Sequence, residues 1–246
     1  MKNIKYKSGK ISEFYSRNRF SWNDLYPSER RIIEQIGLNQ DDRILDLGCG
    51  CGGLAAALSE RFGSISYTGV EINKEASDLG KTLVPTATII CGDIIETSET
   101  ELDGLTFRVV FSLSCVDWNL QFQEMLHAAW KHVEEGGYLV STFRICNGKG
   151  VNDLSQSYQF INFDGVMEGE KAPYVVFEIN DLLETLTALV PEKISGFGYW
   201  GSPSASAVTP YDQLCFAAFA IKKGGFIQDR PVLDLDLPQD VMGTIG

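Results

Sequence analysis

Histidine and paired cysteine are scarce in this chain of 246 residues. The sequence has two histidines and six cysteines, and no CxxC pair recurs, so the donors for a zinc site are nearly limited to Cys49 and Cys51. We therefore predict no metal site. We interpret the cysteines as reduced thiols, because a chain of this length can stabilise itself through its core without disulfides.

Basic residues and long apolar runs are also in short supply. Lys and Arg together number 21 against 33 Asp and Glu, which gives a net charge of −12. Because an acidic surface repels phosphate backbones, we predict no nucleic-acid partner. No run approaches the roughly 18 apolar residues of a membrane span, and the first residues lack the apolar run of a signal peptide. The chain is therefore expected to be cytoplasmic, with no membrane partner.

The charge that is present is unevenly distributed. Residues 1–40 hold eight Lys or Arg against four Asp or Glu, while the remainder of the chain is strongly acidic. We predict an N-terminal helical arm over 1–40, which either docks on the acidic body by charge or acts as a lid near a negative ligand. The main domain is predicted over 41–223, followed by a C-terminal tail over 224–246.

From Arg43 onward, short apolar runs alternate with helical patterns, which is typical of a parallel sheet covered by helices. Helical spacing predicts helices over 27–36, 53–61, 121–134 and 181–190, with His127 and His132 on the exposed face of the third. The apolar runs predict seven strands, at 43–47, 67–71, 88–91, 109–113, 138–143, 194–199 and 214–222.

Two long segments, 145–180 and 200–212, show neither the helical spacing nor the apolar runs of the rest of the domain. Loops of this length are usually functional or mobile, so we predict that they bind substrate. Aromatic and amide side chains in or beside them suit a sugar or a similar polar metabolite. The candidate substrate-binding residues are Tyr158, Asn162, Tyr199 and Trp200.

A glycine-dense turn joins the first strand to the following helix. Glycines at 48, 50 and 52 permit positive φ and let a ligand approach the main-chain amides at a helix N-terminus. Gly48, Gly50 and Gly53 also satisfy the G-x-G-x-x-G dinucleotide fingerprint, and Glu71 is suitably placed for a ribose diol. An oxidoreductase that uses NAD or FAD is therefore one interpretation.

The stretch Asp46-Leu-Gly-Cys-Gly-Cys-Gly52 resembles the first motif of class I S-adenosylmethionine-dependent methyltransferases. Further matches follow in the same order: Glu71 ends the second strand, Gly92-Asp93 ends the third, and Glu135-Gly136-Gly137 precedes the fifth. The resemblance implies an α/β, Rossmann-like fold, whose seven-stranded, mostly parallel sheet has an antiparallel last strand and helices on both faces. It implies methyl transfer from S-adenosylmethionine to a small molecule. The dinucleotide interpretation explains Glu71 but neither Asp46 nor Gly92-Asp93.

The resemblance also implies roles for individual residues. Asp46 and the glycine turn would hold the amino acid end of S-adenosylmethionine, and Glu71 would accept hydrogen bonds from the ribose hydroxyls. Asp93 would bind the adenine amino group, with Ile72 and Ile94 on either side of the ring. The full set of cofactor-binding residues that it implies is Asp46, Gly48, Cys49, Gly50, Gly52, Glu71, Ile72, Asp93, Ile94, Ser112, Tyr15 and Arg19.

A methyl group on a sulfonium is already activated, so catalysis chiefly requires an aligned acceptor and the exclusion of water. A base is needed only where the acceptor must lose a proton. Asp117 is the candidate catalytic base, or else it caps the following helix. Trp118 is a candidate substrate-binding residue that either offers an aromatic face to the sulfonium or packs in the core. A protein that binds the cofactor without catalysis is a third interpretation.

Overall fold

The computed structural model describes residues 12, 15–162, 165–224 and 230–245. Its helices are α1 Pro27–Ile36, α2 Gly53–Phe62, α3 Lys74–Leu83, α4 Ile94–Thr97, α5 Phe122–Lys131, α6 Ile179–Thr187 and α7 Gln239–Met242, with short 3-10 helices at Trp22–Asp24 and Val116–Trp118. Its strands are β1 Arg43–Leu47, β2 Ser66–Glu71, β3 Thr88–Cys91, β4 Phe107–Ser112, β5 Val133–Cys146, β6 Tyr158–Phe160, β7 Lys171–Pro173, β8 Phe177–Glu178, β9 Lys193–Gly201, β10 Ala207–Val208, β11 Leu214–Lys222 and β12 Val232–Asp236.

One large mixed sheet organises the described residues. Its order is β12-β9-β11-β5-β4-β1-β2-β3, and β8 adds a short pairing to β5. The pairings from β3 through β5 are parallel, whereas β11 runs antiparallel to both β5 and β9. The predicted Rossmann-like, mostly parallel sheet with an antiparallel last predicted strand is therefore confirmed.

Helices cover both faces of this sheet because neighbouring strand residues point to opposite sides. Ile44 packs in one core with Ile32 of α1 and Leu58 of α2. Leu45, the next residue, packs in another core with Leu126 of α5. Strands that are buried on both faces are near-continuously apolar, which is why their sequences were readable as strands.

The predicted α1 occupies the same core as the sheet. It begins with a proline at its first position, a residue whose missing N–H costs nothing there, and it is capped at its C-terminus by Gly37, whose φ of 64° is left-handed. Ile32, Ile33 and Ile36 are its buried apolar residues. The predicted arm over 1–40 thus contributes a core helix, and residues 1–11, 13 and 14 lie outside the described residues. The domain boundaries themselves stay a prediction.

The prediction of seven strands was too low. The large sheet also contains β12, which runs parallel to β9, and the two-residue β8. Val232 and Leu233 of β12 are exposed beside Asp234 and Asp236, so this strand has no apolar run that marks it. β5 also begins at Val133, five residues before the predicted start, because its register with β4 shifts near Phe107 and the chain continues through Gly136 at a φ of 77°.

The prediction that His132 lies on the surface was wrong, whereas His127 is exposed as expected. Because α5 ends at Lys131, helical spacing does not determine where His132 points. Its imidazole is fully buried, with Nε2 at 2.8 Å from the Ser98 hydroxyl and Nδ1 at 2.8 Å from the Leu105 carbonyl oxygen.

The two segments that were predicted as loops contain a second sheet. Strands β10, β6 and β7 pair in that order and antiparallel, and we call them the small sheet. Their two or three residues each are too few to give a period in the sequence.

Candidate active site

A cavity lies where the carboxyl ends of β1, β2, β3 and β4 meet. It is lined by the turn after β1, by residues at the ends of β2 and β3, by the segment after β4 and by the arm. In an open parallel sheet, this edge beside a strand-order reversal is the usual place for a ligand. Eleven of the predicted site residues line it: Tyr15, Arg19, Asp46, Gly48, Cys49, Gly50, Glu71, Ile72, Asp93, Ile94 and Trp118.

The glycine turn brings its main chain to the cavity wall. Gly48, Gly50 and Gly52 have φ values of 70°, 54° and 80°, which is the left-handed region that favours glycine. The N–H groups of Gly48 and Cys49 donate to the Val70 carbonyl oxygen at 2.8 and 3.1 Å, which ties the turn to β2. A Cβ at Gly50 would meet only the Tyr15 side chain, at 3.9 Å, so the turn leaves open space there.

Gly52 serves the structure in a different way from Gly50. It is the N-cap of α2 and does not line the cavity. A Cβ on it would lie 3.1 Å from Val84 and 3.6 Å from Ile89, so its bare backbone allows packing against these residues.

Asp46 is a buried carboxylate beneath this turn. Its side chain accepts a hydrogen bond from the Tyr67 hydroxyl, which is also buried. Burial raises the pKa of Asp46 to about 7, against the opposing effect of the Tyr67 hydrogen bond. Asp46 therefore changes charge near neutral pH, and a cation bound beside it would stabilise the ionised form.

Glu71 connects the glycine turn to the segment after β2. Its Oε2 accepts from the Gly50 N–H at 2.9 Å, and its Oε1 accepts from the Asn73 N–H at 2.7 Å. Burial raises the pKa of Glu71, while the N–H groups of Asn73 and Gly50 act to lower it. The Glu71 carboxylate thus fixes the turn and also lines the cavity.

Asp93 follows β3, and its side chain caps α4. Its Oδ1 accepts from the Ile95 N–H at 3.0 Å. Ile94, which is buried, and Ile72, which is half-buried, line the cavity beside it. The ends of three adjacent parallel strands thus each deliver a carboxylate to one cavity.

The arm closes one side of the cavity. Nη2 of Arg19 lies 2.7 Å from both carboxylate oxygens of Glu29, and its guanidinium stands 5.2 Å from the centre of the Tyr26 ring. A Cβ on Gly53 would lie 2.6 Å from the Arg19 carbonyl oxygen, so the arm rests directly on the start of α2. The cation that reaches the cavity from the arm is already paired with a carboxylate.

The segment after β4 contributes residues that sequence reasoning missed. Ser114 and Cys115 line the cavity next to Trp118, as do Asn119 and, from α5, Met125. Their position after the end of a parallel strand, like that of Asp93 after β3, was the signal that could have identified them. Met125 has the spacing of a core residue, which concealed it.

Two predicted residues, Ser112 at the end of β4 and Asp117 in the segment after it, do not line the cavity. Ser112 is fully buried and its carbonyl oxygen accepts from the Ser141 hydroxyl at 3.2 Å. Asp117 is buried in the 3-10 helix and pairs with Arg144. Asp117 does not cap α5, which begins at Phe122 with Gln121 as its N-cap, so that alternative was wrong.

The structure does not bring the four loop candidates into the cavity lining. Tyr158 lies in the small sheet, where the Lys171 ammonium stands 3.8 Å from its ring centre. Asn162 donates to the carbonyl oxygens of Val166 and Glu168, which holds its own loop. Tyr199 and Trp200 lie on β9, where the Tyr199 ring packs beside Phe216 and Trp200 against the core.

The charges around the cavity favour a cationic ligand over a pyrophosphate. Among the described lining residues, Asp46, Glu71 and Asp93 are acidic and Arg19 is basic, and Glu29 already balances Arg19. Pyrophosphate sites need free N–H groups and positive charge, and a buried carboxylate beneath the turn opposes both. Within the part of the chain that the structure describes, no group of three or more His, Cys, Asp or Glu side chains could hold a metal ion.

Comparison with known families agrees with this geometry. Residues 44–137, which include β1 through the start of β5, match the family described as methyltransferase domain. Over these residues the chain is similar to a methyltransferase domain. The predicted resemblance to class I S-adenosylmethionine-dependent methyltransferases is therefore confirmed for the residues that hold the glycine turn and all three carboxylates.

Individual relatives share part of the chain. A ribosomal RNA small subunit methyltransferase A from Caldanaerobacter subterraneus is 26% identical over 144 residues, which are 54% of this chain and 52% of that protein. A malonyl-[acyl-carrier protein] O-methyltransferase from Priestia megaterium is 30% identical over 120 residues, which are 46% of this chain and 42% of that protein. The chain spans about half the length of these curated relatives.

A solved structure shows the same fold over most of the chain. It is that of a SAM-dependent methyltransferase from Methanosarcina mazei, with a TM-score of 0.56 and 20% identity. The alignment covers 81% of this chain and 98% of the other. Across the described residues, no helix combines the length and apolarity needed to cross a membrane.

Proposed function

We propose that this protein transfers the methyl group of S-adenosylmethionine to a small-molecule acceptor. The observation that carries the proposal is the set of three carboxylates, Asp46, Glu71 and Asp93, at the ends of adjacent parallel strands around one glycine turn. S-adenosylmethionine bears a sulfonium and an ammonium, two hydroxyl donors on its ribose and an amino group on its adenine. Each of these is a cation or a hydrogen-bond donor, for which a carboxylate is the matching partner.

The residues present fit this cofactor. Gly50 leaves open space where a Cβ would intrude, and its left-handed backbone forms the cradle for the amino acid end above Asp46. Glu71 would accept from the ribose hydroxyls, and Asp93 from the adenine amino group between Ile72 and Ile94. The bound sulfonium supplies an activated methyl group, and the chain supplies orientation and a dry wall.

The chain's own groups are proposed to do little proton chemistry. The arm residues Tyr15 and Arg19 cover the cavity and exclude water, while the Arg19–Glu29 pair holds the arm in place. The proposal does not use Asp117 as the base, since its carboxylate is engaged by Arg144 behind the cavity wall. A base is required only if the acceptor must lose a proton, and proximity accounts for the remaining catalysis.

A sugar or similar polar metabolite remains our proposed acceptor, although the loop residues that suggested it stand outside the lining. The segment after β4 offers Asn119, Ser114 and Trp118, a mixture of polar groups and one aromatic ring that suits a polyol as well as a ring compound. The net charge of −12 opposes an RNA acceptor, even though one relative is named as a ribosomal RNA methyltransferase.

Calorimetry with the purified chain tests the cofactor. We expect micromolar binding of S-adenosylhomocysteine and no measurable binding of NADH or FAD, and the reverse result would refute the proposal.

A second experiment supplies methyl-labelled S-adenosylmethionine with three acceptor pools: sugars and glycosides, phenols and amines, and transcribed ribosomal RNA. Label in the first pool supports the sugar proposal, label in the second corrects the acceptor class, and label in RNA alone overturns the small-molecule proposal. Cofactor binding without label in any pool would favour a protein that binds the cofactor without catalysis.

A further inference from the structure

A buried ion pair lies directly behind the wall of the cavity. Arg144, near the end of β5, is 3% exposed, and Asp117, in the 3-10 helix Val116–Trp118, is 4% exposed. Nη2 of Arg144 lies 2.9 Å from Oδ2 of Asp117 and also donates to the Asp117 carbonyl oxygen. Two charges this deeply buried are expensive to desolvate, so stability alone is a weak reason for them.

The guanidinium of Arg144 also contacts two aromatic rings. Its carbon stands 3.6 Å from the centre of the Tyr174 ring and 4.7 Å from that of Trp118, and the two rings meet edge to face at 5.8 Å. Trp118 lines the cavity, and Arg144 does not. Arg144 therefore contacts the indole of a cavity-lining residue without lining the cavity itself.

The Arg144–Asp117 pair also connects the cavity wall to the segment after β7. The Asp117 carbonyl oxygen accepts from the Val175 N–H at 2.9 Å, next to Tyr174 in the chain. Three segments that are far apart in sequence, the 3-10 helix, the end of β5 and the residues after β7, are thus held together by one guanidinium and one aspartate.

The ion pair between Arg144 and Asp117 lacks the second hydrogen bond that such a pair can form. A planar guanidinium can meet a carboxylate with two parallel hydrogen bonds. Here Nε of Arg144 and Oδ1 of Asp117 have no hydrogen-bond partner, so this second bond is absent, while the guanidinium carbon lies close to the Tyr174 and Trp118 rings.

We propose that Arg144 and Asp117 are positioning residues that fix the Trp118 indole in the cavity wall beside the segment after β4, where the acceptor is expected. This inference rests on the proposed function for the meaning of the cavity, but not for its test. It gives Asp117 a role through Arg144 and Trp118, in place of the abstraction of a proton from the acceptor.

The test is fluorine NMR of the full chain labelled with 5-fluorotryptophan. The sequence has four tryptophans, and Trp118→Phe assigns the signal of Trp118 by its disappearance. In Arg144→Lys the charge remains but the planar group is lost, so we expect the Trp118 signal to shift or broaden while those of Trp22, Trp130 and Trp200 stay in place. Asp117→Asn, which keeps its carbonyl and its shape, should move the same signal less, and it serves as the readout if Arg144→Lys does not fold.

Coupling between the two residues sharpens the test. If they act as one unit, Asp117→Asn combined with Arg144→Lys moves the Trp118 signal no further than Arg144→Lys alone. Additive displacements, or a Trp118 signal that ignores both changes, would overturn the proposal. The exposed pair Lys193–Asp234 on β9 and β12 is the matched control: if Asp234→Asn displaces the Trp118 signal equally, the effect is general loosening and the proposal fails.

Calorimetry with S-adenosylhomocysteine separates this proposal from the proposed function. The three carboxylates are intact in Arg144→Lys, so its dissociation constant should stay within about threefold of that of the parent chain. A parent chain that binds no S-adenosylhomocysteine overturns the proposed function, while the Trp118 signal still decides the positioning role. If Arg144→Lys weakened S-adenosylhomocysteine binding by much more than threefold, Arg144 would support the cofactor-binding residues. That result would overturn its assignment to the part of the cavity where the acceptor is expected.

Discussion

The two halves of the cavity are built in different ways. In one half, Asp46, Glu71 and Asp93 reach the cavity because each lies at or just beyond the end of a parallel strand, within 50 residues of sequence. In the other half, Trp118 is held by Arg144 from β5 and stands beside Tyr174 from the segment after β7. The first half is made by local strand and turn geometry, and the second by contacts between distant segments. The sequence therefore predicts which residues bind ligand in the first half of the cavity, but not in the second.

The largest expected effect concerns the pH dependence of stability at Asp46. Its pKa is raised by burial from 3.8 to about 7, so between these values the folded chain holds a proton that the unfolded chain releases. Stability then falls as pH rises, by about 1.4 kcal/mol per unit and up to about 4 kcal/mol in total. Urea unfolding of the parent chain and of Asp46→Asn should show their difference in unfolding free energy decreasing by this amount from pH 4 to pH 7. A difference in unfolding free energy that is independent of pH would show that the Asp46 carboxyl is not buried as described.

The first half was largely predictable because its signals are local. The bounds predicted for β1, β3 and β11 agree with the structure, since each is an apolar run that ends at turn residues or charges. The resemblance to class I S-adenosylmethionine-dependent methyltransferases implied that Asp46, Glu71 and Asp93 share one cofactor site, and the carboxyl ends of β1, β2 and β3 do meet at one edge. Gly52 was the exception, because a left-handed glycine gives no sign of which side its missing Cβ would face.

The second half was not predictable because burial of charge depends on partners far away in sequence. Arg144 stands in an apolar strand, and nothing near it in sequence indicates that Asp117 and Tyr174 surround it. The prediction that His132 is exposed was wrong for the same reason, since its partners Ser98 and Leu105 come from another part of the chain.

The next largest effect is expected for Glu71→Ala. This change removes a charged acceptor for the ribose and leaves the N–H groups of Gly50 and Asn73 without their partner. Loss of charged hydrogen bonds of about 1.5–3 kcal/mol should weaken S-adenosylhomocysteine binding by roughly 10- to 150-fold in calorimetry. Glu60 is the matched control, because its carboxylate accepts from the Trp22 N–H outside the cavity. Equal affinities for the Glu71→Ala and Glu60→Ala chains would contradict the site.

A smaller effect is expected for Gly50→Ala, again with a matched glycine. Gly50 and Gly104 both have left-handed φ, at 54° and 73°, so alanine at either should cost about 1 kcal/mol of unfolding free energy. Only Gly50 lines the cavity, whereas a Cβ on Gly104 meets nothing within 4 Å. Urea unfolding should thus show similar losses for the two variants, and calorimetry should show weaker S-adenosylhomocysteine binding for Gly50→Ala alone. Weaker binding in both would mean that backbone strain, and not the cavity, is responsible.

The smallest effect is expected for Tyr158→Leu in the small sheet. Tyr158 contacts Lys171 and Phe160 and does not line the cavity. Its replacement should leave the affinity for S-adenosylhomocysteine within about twofold, as is usual for a residue that does not contact the ligand. A tenfold loss in calorimetry would show that the small sheet reaches the ligand, and the division of the cavity into two halves would then need revision.

The outermost strands of the large sheet bear on how this protein behaves at high concentration. Exposed strand edges are templates on which other chains can add strands and aggregate. One edge here is β3, only four residues long, and the other is β12, where Asp234 and Asp236 alternate with apolar residues. A short edge and a charged edge both discourage such pairing, so neither end of the large sheet favours the addition of a strand from a second molecule.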